Sequence, residues 1–310
     1  MNMRSLVAAS IVMFCGLVSS QQVALALSNQ ELFRQAGSLE TQGQVEKAIA
    51  AYKQIEIGPV GSAGLSVNGQ DSYPFRSKLR VARLRLMQGR EKDADAIYSL
   101  ALKVTPEQAK RDPELMVDMD DLAESYAAAA KCAKDGKAML LRALELRKAI
   151  DIDHPRLRDS YRELATYLIG HWQFAEAERY IKVSIERQKQ VVSPKKLTNL
   201  TADRVLLMGI YVMQKQWNKT EAMAKEMLVT TANQPTIGWC VPGLHYTLGR
   251  CYSEKKQFDL SDSEYRTAIE LAQKYPGTAG ALISDSAKGI EANKELRKRS
   301  LVSTARKKLK

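Results

Sequence analysis

The side chains of this 310-residue chain best suited to metal or nucleophilic chemistry are three histidines and four cysteines, and their spacing supports neither. His154, His171 and His245 stand far apart, and none has a nucleophile or carboxylate at a catalytic spacing. Cys15 lies in the apolar N-terminal run. The other three, Cys132, Cys240 and Cys251, are odd in number and form no C-x-x-C pair, so no zinc site is indicated. Cys240 and Cys251 either pair across a folded-back chain or stay as thiols. In the stretch EIGPVGSAGLSVNGQDSYP, residues 56–74, Gly58, Gly61 and Gly64 lack the following Lys-Ser/Thr of a phosphate cradle, and the segment reads as a loop. No enzyme, cofactor or metal is expected.

Charge points to an anionic partner only weakly. The 47 Lys+Arg exceed the 35 Asp+Glu to give +12. The last twenty residues, EANKELRKRSLVSTARKKLK, carry about half of that excess. Lys294, Arg297, Lys298, Arg299, Arg306, Lys307, Lys308 and Lys310 could attach the chain to an anionic lipid or polymer surface. Alternatively they are a solvated tail.

At the other end, Arg4, the apolar run Leu6–Val18 and Ala24-Leu25-Ala26 have the layout of a cleaved export signal over residues 1–26. The run is short of the ~20 residues of a membrane span. Export is therefore expected, to a periplasmic or extracellular location, and an uncleaved anchor at residues 5–20 is the alternative. Export would remove the usual nucleic-acid target.

Small residues recur along the remaining chain in like surroundings: Ala36, Ala82, Ala123, Ala165, then Met208 and Gly249. Their period of about 42 residues implies stacked supersecondary units. A second small or polar residue follows about twelve positions on, then a bulky one four further, as in Ala48 with Tyr52, Ala94 with Tyr98 and Ser261 with Tyr265. Two antiparallel helices approach closely only where both side chains are small, so Gly249 is expected to pack opposite Ala268. Caps agree with helices. Ser28 with Glu31 forms a capping box, and Thr105-Pro106, Asp112-Pro113 and Ser193-Pro194 are helix starts.

The pattern of Leu164, Ala165, Leu168, Phe174 and Ala177, and of Leu248, Gly249, Tyr252, Phe258, Tyr265 and Ala268, resembles the tetratricopeptide repeat. The long period and Asp153-His154-Pro155 resemble the repeats of kinesin light chain. The resemblance implies an all-α solenoid of about six helix-turn-helix repeats, near 29–57, 75–108, 114–152, 158–192, 201–232 and 242–275, within a domain of 27–278. A capping helix is expected over 279–301 and a basic tail over 302–310. Arg85 and Glu91 depart from the pattern where aromatics are usual, as does Met208 where a small residue is usual. The second and fifth repeats are expected to pack less regularly.

The resemblance further implies a groove, lined by the first helices, that binds a protein or peptide. Candidate residues are Arg76, Arg80 and Arg83 in the second repeat, Asp120, Asp121 and Glu124 in the third, and Arg162 and Thr166 in the fourth. Val205, Val212 and Met213 supply an apolar stripe in the fifth, and Tyr246 and Arg250 are the candidates in the sixth. The charges either read a ligand or pair as exposed ions, worth ~0–1 kcal/mol each. Leu79 and Arg83 occupy the stripe where a carboxylate-clamping lysine and asparagine would be sought. The implied role is an exported scaffold in envelope assembly or organisation.

Overall fold

The computed structural model describes residues 28–55, 72–188, 194–232, 234–274 and 279–308. The expected export signal, most of the glycine-rich stretch 56–74 and Lys310 lie outside them. Every regular element among these residues is helical, and the chain divides into two compact units, Met1–His154 and Pro155–Lys310.

The first unit holds three helix pairs: α1 (Asn29–Thr41) with α2 (Val45–Ile55), α3 (Tyr73–Met87) with α4 (Glu91–Ala101), and α6 (Pro113–Ala129) with α7 (Gly136–Ile150). A short helix, α5 (Pro106–Arg111), precedes α6. Thr105 starts α5 through a capping box with Gln108, and Asp112 accepts from the Leu115 N–H to start α6. Ser28 and Glu31 cap α1 reciprocally, as the sequence indicates. The hydrogen bonds from Ser28 hold the Glu31 carboxyl below the usual carboxylate range.

The second unit repeats the arrangement with α8 (Leu157–Gly170) and α9 (Phe174–Gln188), α10 (Pro194–Met213) and α11 (Trp217–Ala232), and α12 (Val241–Glu254) and α13 (Phe258–Gln273). A 3₁₀ turn, Pro235–Cys240, leads into α12, and α14 (Ala279–Lys308) closes the unit. The expected capping helix therefore runs seven residues further than its predicted end, through most of the basic segment, where neither Gly nor Pro interrupts it. The fifth repeat likewise starts earlier than predicted, at Pro194.

Within each unit helices pack on their neighbours in the chain, and in the first unit first helices also touch successive first helices, as in α1 with α3 and α3 with α6. Contacts limited to neighbours are the mark of a stacked repeat. The turn inside five of the six pairs is the same. Gly43, Gly89, Trp172, Lys215 and Lys256 all adopt positive φ, two residues past the first helix. Behind each, the next N–H reaches back five residues, as from Gln44 to Leu39 and Gln257 to Tyr252. This bond closes a Schellman turn and satisfies a helix-end carbonyl.

Small residues sit at the helix crossings, with Ala36, Ala48, Ala82, Ala94, Ala123, Ala165 and Ala177 excluded from solvent. The side chain nearest Gly249 is Tyr265, one turn before the expected Ala268 on the same helix. A β-carbon built on Gly249 would lie 2.7 Å from the ring of Tyr265. Gly289 of α14 meets the opposite edge of that ring, at 2.5 Å from its own hypothetical β-carbon. Tyr265 thus lies between two glycines, and this close approach is why the helix tolerates Gly249 at a cost of ~1 kcal/mol relative to alanine.

The sequence departures have local answers. Arg85 is nearly buried and donates to Glu46 of α2 and to Gln88, so an ion-paired guanidinium fills the place of an aromatic ring. Met208 is buried against Ala224, Leu244 and Tyr252, where the small Ala224 leaves it room. Cys240 and Cys251 are buried thiols rather than a disulfide, and Cys132 is exposed.

Candidate partner-binding groove

The charged candidates of the first unit are engaged within the fold. The Arg76 Nε donates to Asp118 Oδ2 at 2.6 Å, and the same guanidinium reaches Glu114. Arg80 pairs with Asp118 at 2.5 Å and with Asp121 at 3.3 Å. Arg83 pairs with Glu40 of α1. The Asp118 side chain is sealed from solvent, and burial pushes its carboxyl up against the pull of Arg80 and Arg76. Asp120 and Glu124 both accept from Arg147 of α7, which is 1% exposed, at 2.8 and 2.7 Å. These pairs differ from the expected solvent-exposed ones because the arginines run along helix seams, where they also stack on rings, as Arg76 does on Phe33.

In the second unit Arg162 pairs with Asp159 and lies 3.6 Å from the buried Asp203. The Thr166 hydroxyl donates to the Arg162 carbonyl. Burial raises the Asp203 carboxyl, while Ser184 donates to it at 2.6 Å.

Beyond these pairs the second unit opens into a groove of about 750 Å³. Val205, Gly209, Val212 and Met213 of α10 form one wall, and Leu244, Tyr246 and Arg250 of α12 face them. The five candidates of the fifth and sixth repeats, Val205, Val212, Met213, Tyr246 and Arg250, therefore meet at one place. Three contributors were not legible in the repeat pattern: Trp239 in the 3₁₀ turn, and Leu282 and Asp285 on α14. They lie outside the repeated stripe, and only the apolar character of Trp239 and Leu282 hinted at a surface role. Met213 and Trp239 are each 46% exposed.

A polar clasp fixes α14 as a wall of this groove. The Asn293 amide donates to Ser261 at 2.8 Å and to Asp262 at 2.6 Å, and its carbonyl accepts from Ser253 at 2.6 Å. Ser261 in turn donates to the Gly249 carbonyl at 2.7 Å. Arg297 bonds Asp262 at 2.8 Å and Asp259 at 2.9 Å and lies over the Phe258 ring. Arg297 is therefore part of the helix packing, and Lys294 and Lys298 pair with Glu291 and Glu295 one turn away. These three cations of the capping helix are thus engaged within the fold, unlike the solvated or surface-attaching charges expected of them.

The groove's polar side chains are few. Thr247 spends its hydroxyl on the Gly243 carbonyl, and Asp285 pairs with Lys288. His245, beside the groove, donates to Glu264 at 2.7 Å through Nδ1, and His171 Nδ1 contacts the Tyr167 carbonyl. Among the described residues no three His, Cys, Asp or Glu side chains gather as metal ligands. No helix among them is long and apolar enough to cross a membrane.

The tetratricopeptide-repeat family model matches residues 242–275, the α12–α13 pair. No curated protein matches the chain in sequence. Among solved structures, the apo form of RapI is 11% identical with a TM-score of 0.51, over 89% of this chain and 74% of its own. A kinesin light chain-like repeat protein of Podosopora anserina is 14% identical with a TM-score of 0.38, over 79% of this chain and 94% of its own. BtubC of P. vanneervenii is also 14% identical, with a TM-score of 0.44, over 81% and 93%. The match marks the α12–α13 pair as a tetratricopeptide repeat, and with the period, the Schellman turns and the small-residue crossings the chain has the fold of an all-α solenoid of such repeats.

Proposed function

We propose that the protein is a non-enzymatic scaffold that captures a partner protein in the groove of its second unit. The observation that carries this reading is the contrast in how side chains are answered. The arginines of the first unit find carboxylates inside the fold, whereas the groove leaves Met213 and Trp239 facing solvent. Solvent-facing apolar side chains gathered in a concavity favour a binding site. Residues 1–26 support export, and envelope assembly or organisation is the setting that follows from it.

A photocrosslinking amino acid placed at Met213, with another at Val229 as control, tests the binding surface. Val229 is exposed on α11, outside the groove. A defined protein should crosslink from position 213 and not from position 229; equal capture from both would remove the groove as the binding surface. For export, the native protein should begin near Leu27, and intact Met1 in a cytoplasmic fraction would reject it.

A further inference from the structure

The groove's chemistry narrows what can occupy it, taking as given the reading of the groove as a protein-binding surface. An extended peptide brings a backbone N–H and C=O at every residue, each needing a partner when it leaves water. The groove has almost nothing to offer them. It is lined by no Asn, Gln or Ser, the Thr247 hydroxyl is already used, and Asp285 is paired with Lys288. A helix, by contrast, satisfies its own backbone and presents only side chains.

The cations differ as well. Arg250 makes no hydrogen bond or ion pair among the described residues, although it is half-buried on the wall of an apolar groove. One turn before it on the same helix face, the Tyr246 hydroxyl is likewise without a hydrogen-bond partner among them. An unanswered guanidinium beside a donor hydroxyl fits a carboxylate, and a half-dry site strengthens that pairing.

We propose that the groove takes an amphipathic helix from the partner. Its apolar stripe packs on Val205, Val212, Met213 and Leu282, and an Asp or Glu flanking that stripe meets Arg250 and Tyr246. Anchors at i, i+3 or i+4, and i+7 would carry the contact.

A displayed library of random 18-residue peptides, selected on the full chain and measured by fluorescence anisotropy, tests this. Selected peptides should share that apolar period and a flanking acid, and should gain helicity on binding. One proline at the centre of such a peptide should weaken binding about a hundredfold, the equivalent of its ~3 kcal/mol helix penalty. Arg250→Glu should weaken binding tenfold or more with unchanged melting, and changing the peptide's acid to its amide should do the same on the native chain. Selection of proline-tolerant sequences without the helical period would overturn the helix while leaving a peptide-binding groove. Should no peptide be selected while hexadecanoate binds and protects the groove, the protein-binding reading falls too. Binding unaffected by both the Arg250 change and the peptide amide would overturn the acid contact.

Discussion

The first helices of the two units face opposite problems. On α3 and α6, Arg76, Arg80 and Arg83 meet Asp118, Asp121, Glu114 and Glu40, and the ion pairs close the seams between successive repeats. On α10 and α12 the corresponding stripe is apolar, and Met213 and Trp239 beside it stay open to solvent among the described residues. Charge in the first region thus acts inward, as repeat-to-repeat adhesion. In the second, Arg250, the cation of the groove lining and without an ion pair among the described residues, sits where a ligand would have to bring the anion. On the proposed reading, a charged surface stripe is the poorer guide to a binding face in this chain, and the apolar stripe the better one.

Asp118 gives the most severe test of that contrast. Its side chain is fully enclosed between two guanidinium groups. Asp118→Ala would take the enclosed counter-ion that Arg76 and Arg80 share and leave each only its outer carboxylate, Glu114 or Asp121, a part of the about 3–5 kcal/mol that breaking a buried pair outright costs. Urea unfolding should register it as a large drop in stability. Reversing Arg80 and Arg83 to Glu should also destabilise strongly, because it sets carboxylates against Asp118 and Glu40 rather than in open solvent. A double reversal that leaves melting unchanged but abolishes partner capture would break the comparison and return the charged stripe to a recognition role.

The glycine clasp provides a middle-sized test in the other region. Gly249→Ala places a β-carbon against the Tyr265 ring, and Gly289 blocks the ring from moving away. Overpacking of this kind costs about 1–3 kcal/mol. Tyr265→Leu in the same chain should recover part of the loss. Because the clasp also holds α14, and α14 supplies Leu282 to the groove, Gly249→Ala should weaken peptide binding as well as stability. An effect on stability alone would separate the clasp from the groove wall.

How much of this was readable from residues alone varies with how local the cause is. The repeat was legible because close helix crossings demand small side chains at fixed intervals, and Ala36, Ala82, Ala123 and Ala165 supply them. Caps at Ser28, Thr105 and Asp112 were legible because each acts within three residues. Arg76 and Asp118 lie 42 residues apart, one repeat period, so their pairing was implicit in the spacing. Its burial was not, since burial depends on how tightly the seam closes. Gly289 was opaque for a different reason. It belongs to α14, which has no copy elsewhere in the chain, so no register predicted that it would meet Tyr265. The groove followed the same division: Val205, Val212, Met213, Tyr246 and Arg250 were found by register, and Leu282 and Asp285 on α14 were not.

Thiol labelling sharpens the comparison without disturbing stability. Cys132 in the first unit is exposed and should react first with a small thiol reagent. Cys240 is 5% exposed and lines the groove, with burial pushing its thiol up, so it should react slowly. Cys251 is closed off, and burial pushes its thiol up to about 11. At pH 8 such a thiol is only about one part in a thousand thiolate, the reactive form, so it should stay silent even before access is considered. Raising the pH toward 11 should speed Cys251 only if the reagent can also reach it. A bound helix should then protect Cys240 and leave the Cys132 rate untouched, because only Cys240 shares a surface with the occupant. If Cys251 instead reacts at the Cys240 rate, and the peptide slows both, labelling reports opening of the whole α12–α13 pair rather than access through the groove. The apolar stripe would then be a loosely closed core, and the difference between the two regions would be one of stability rather than of recognition.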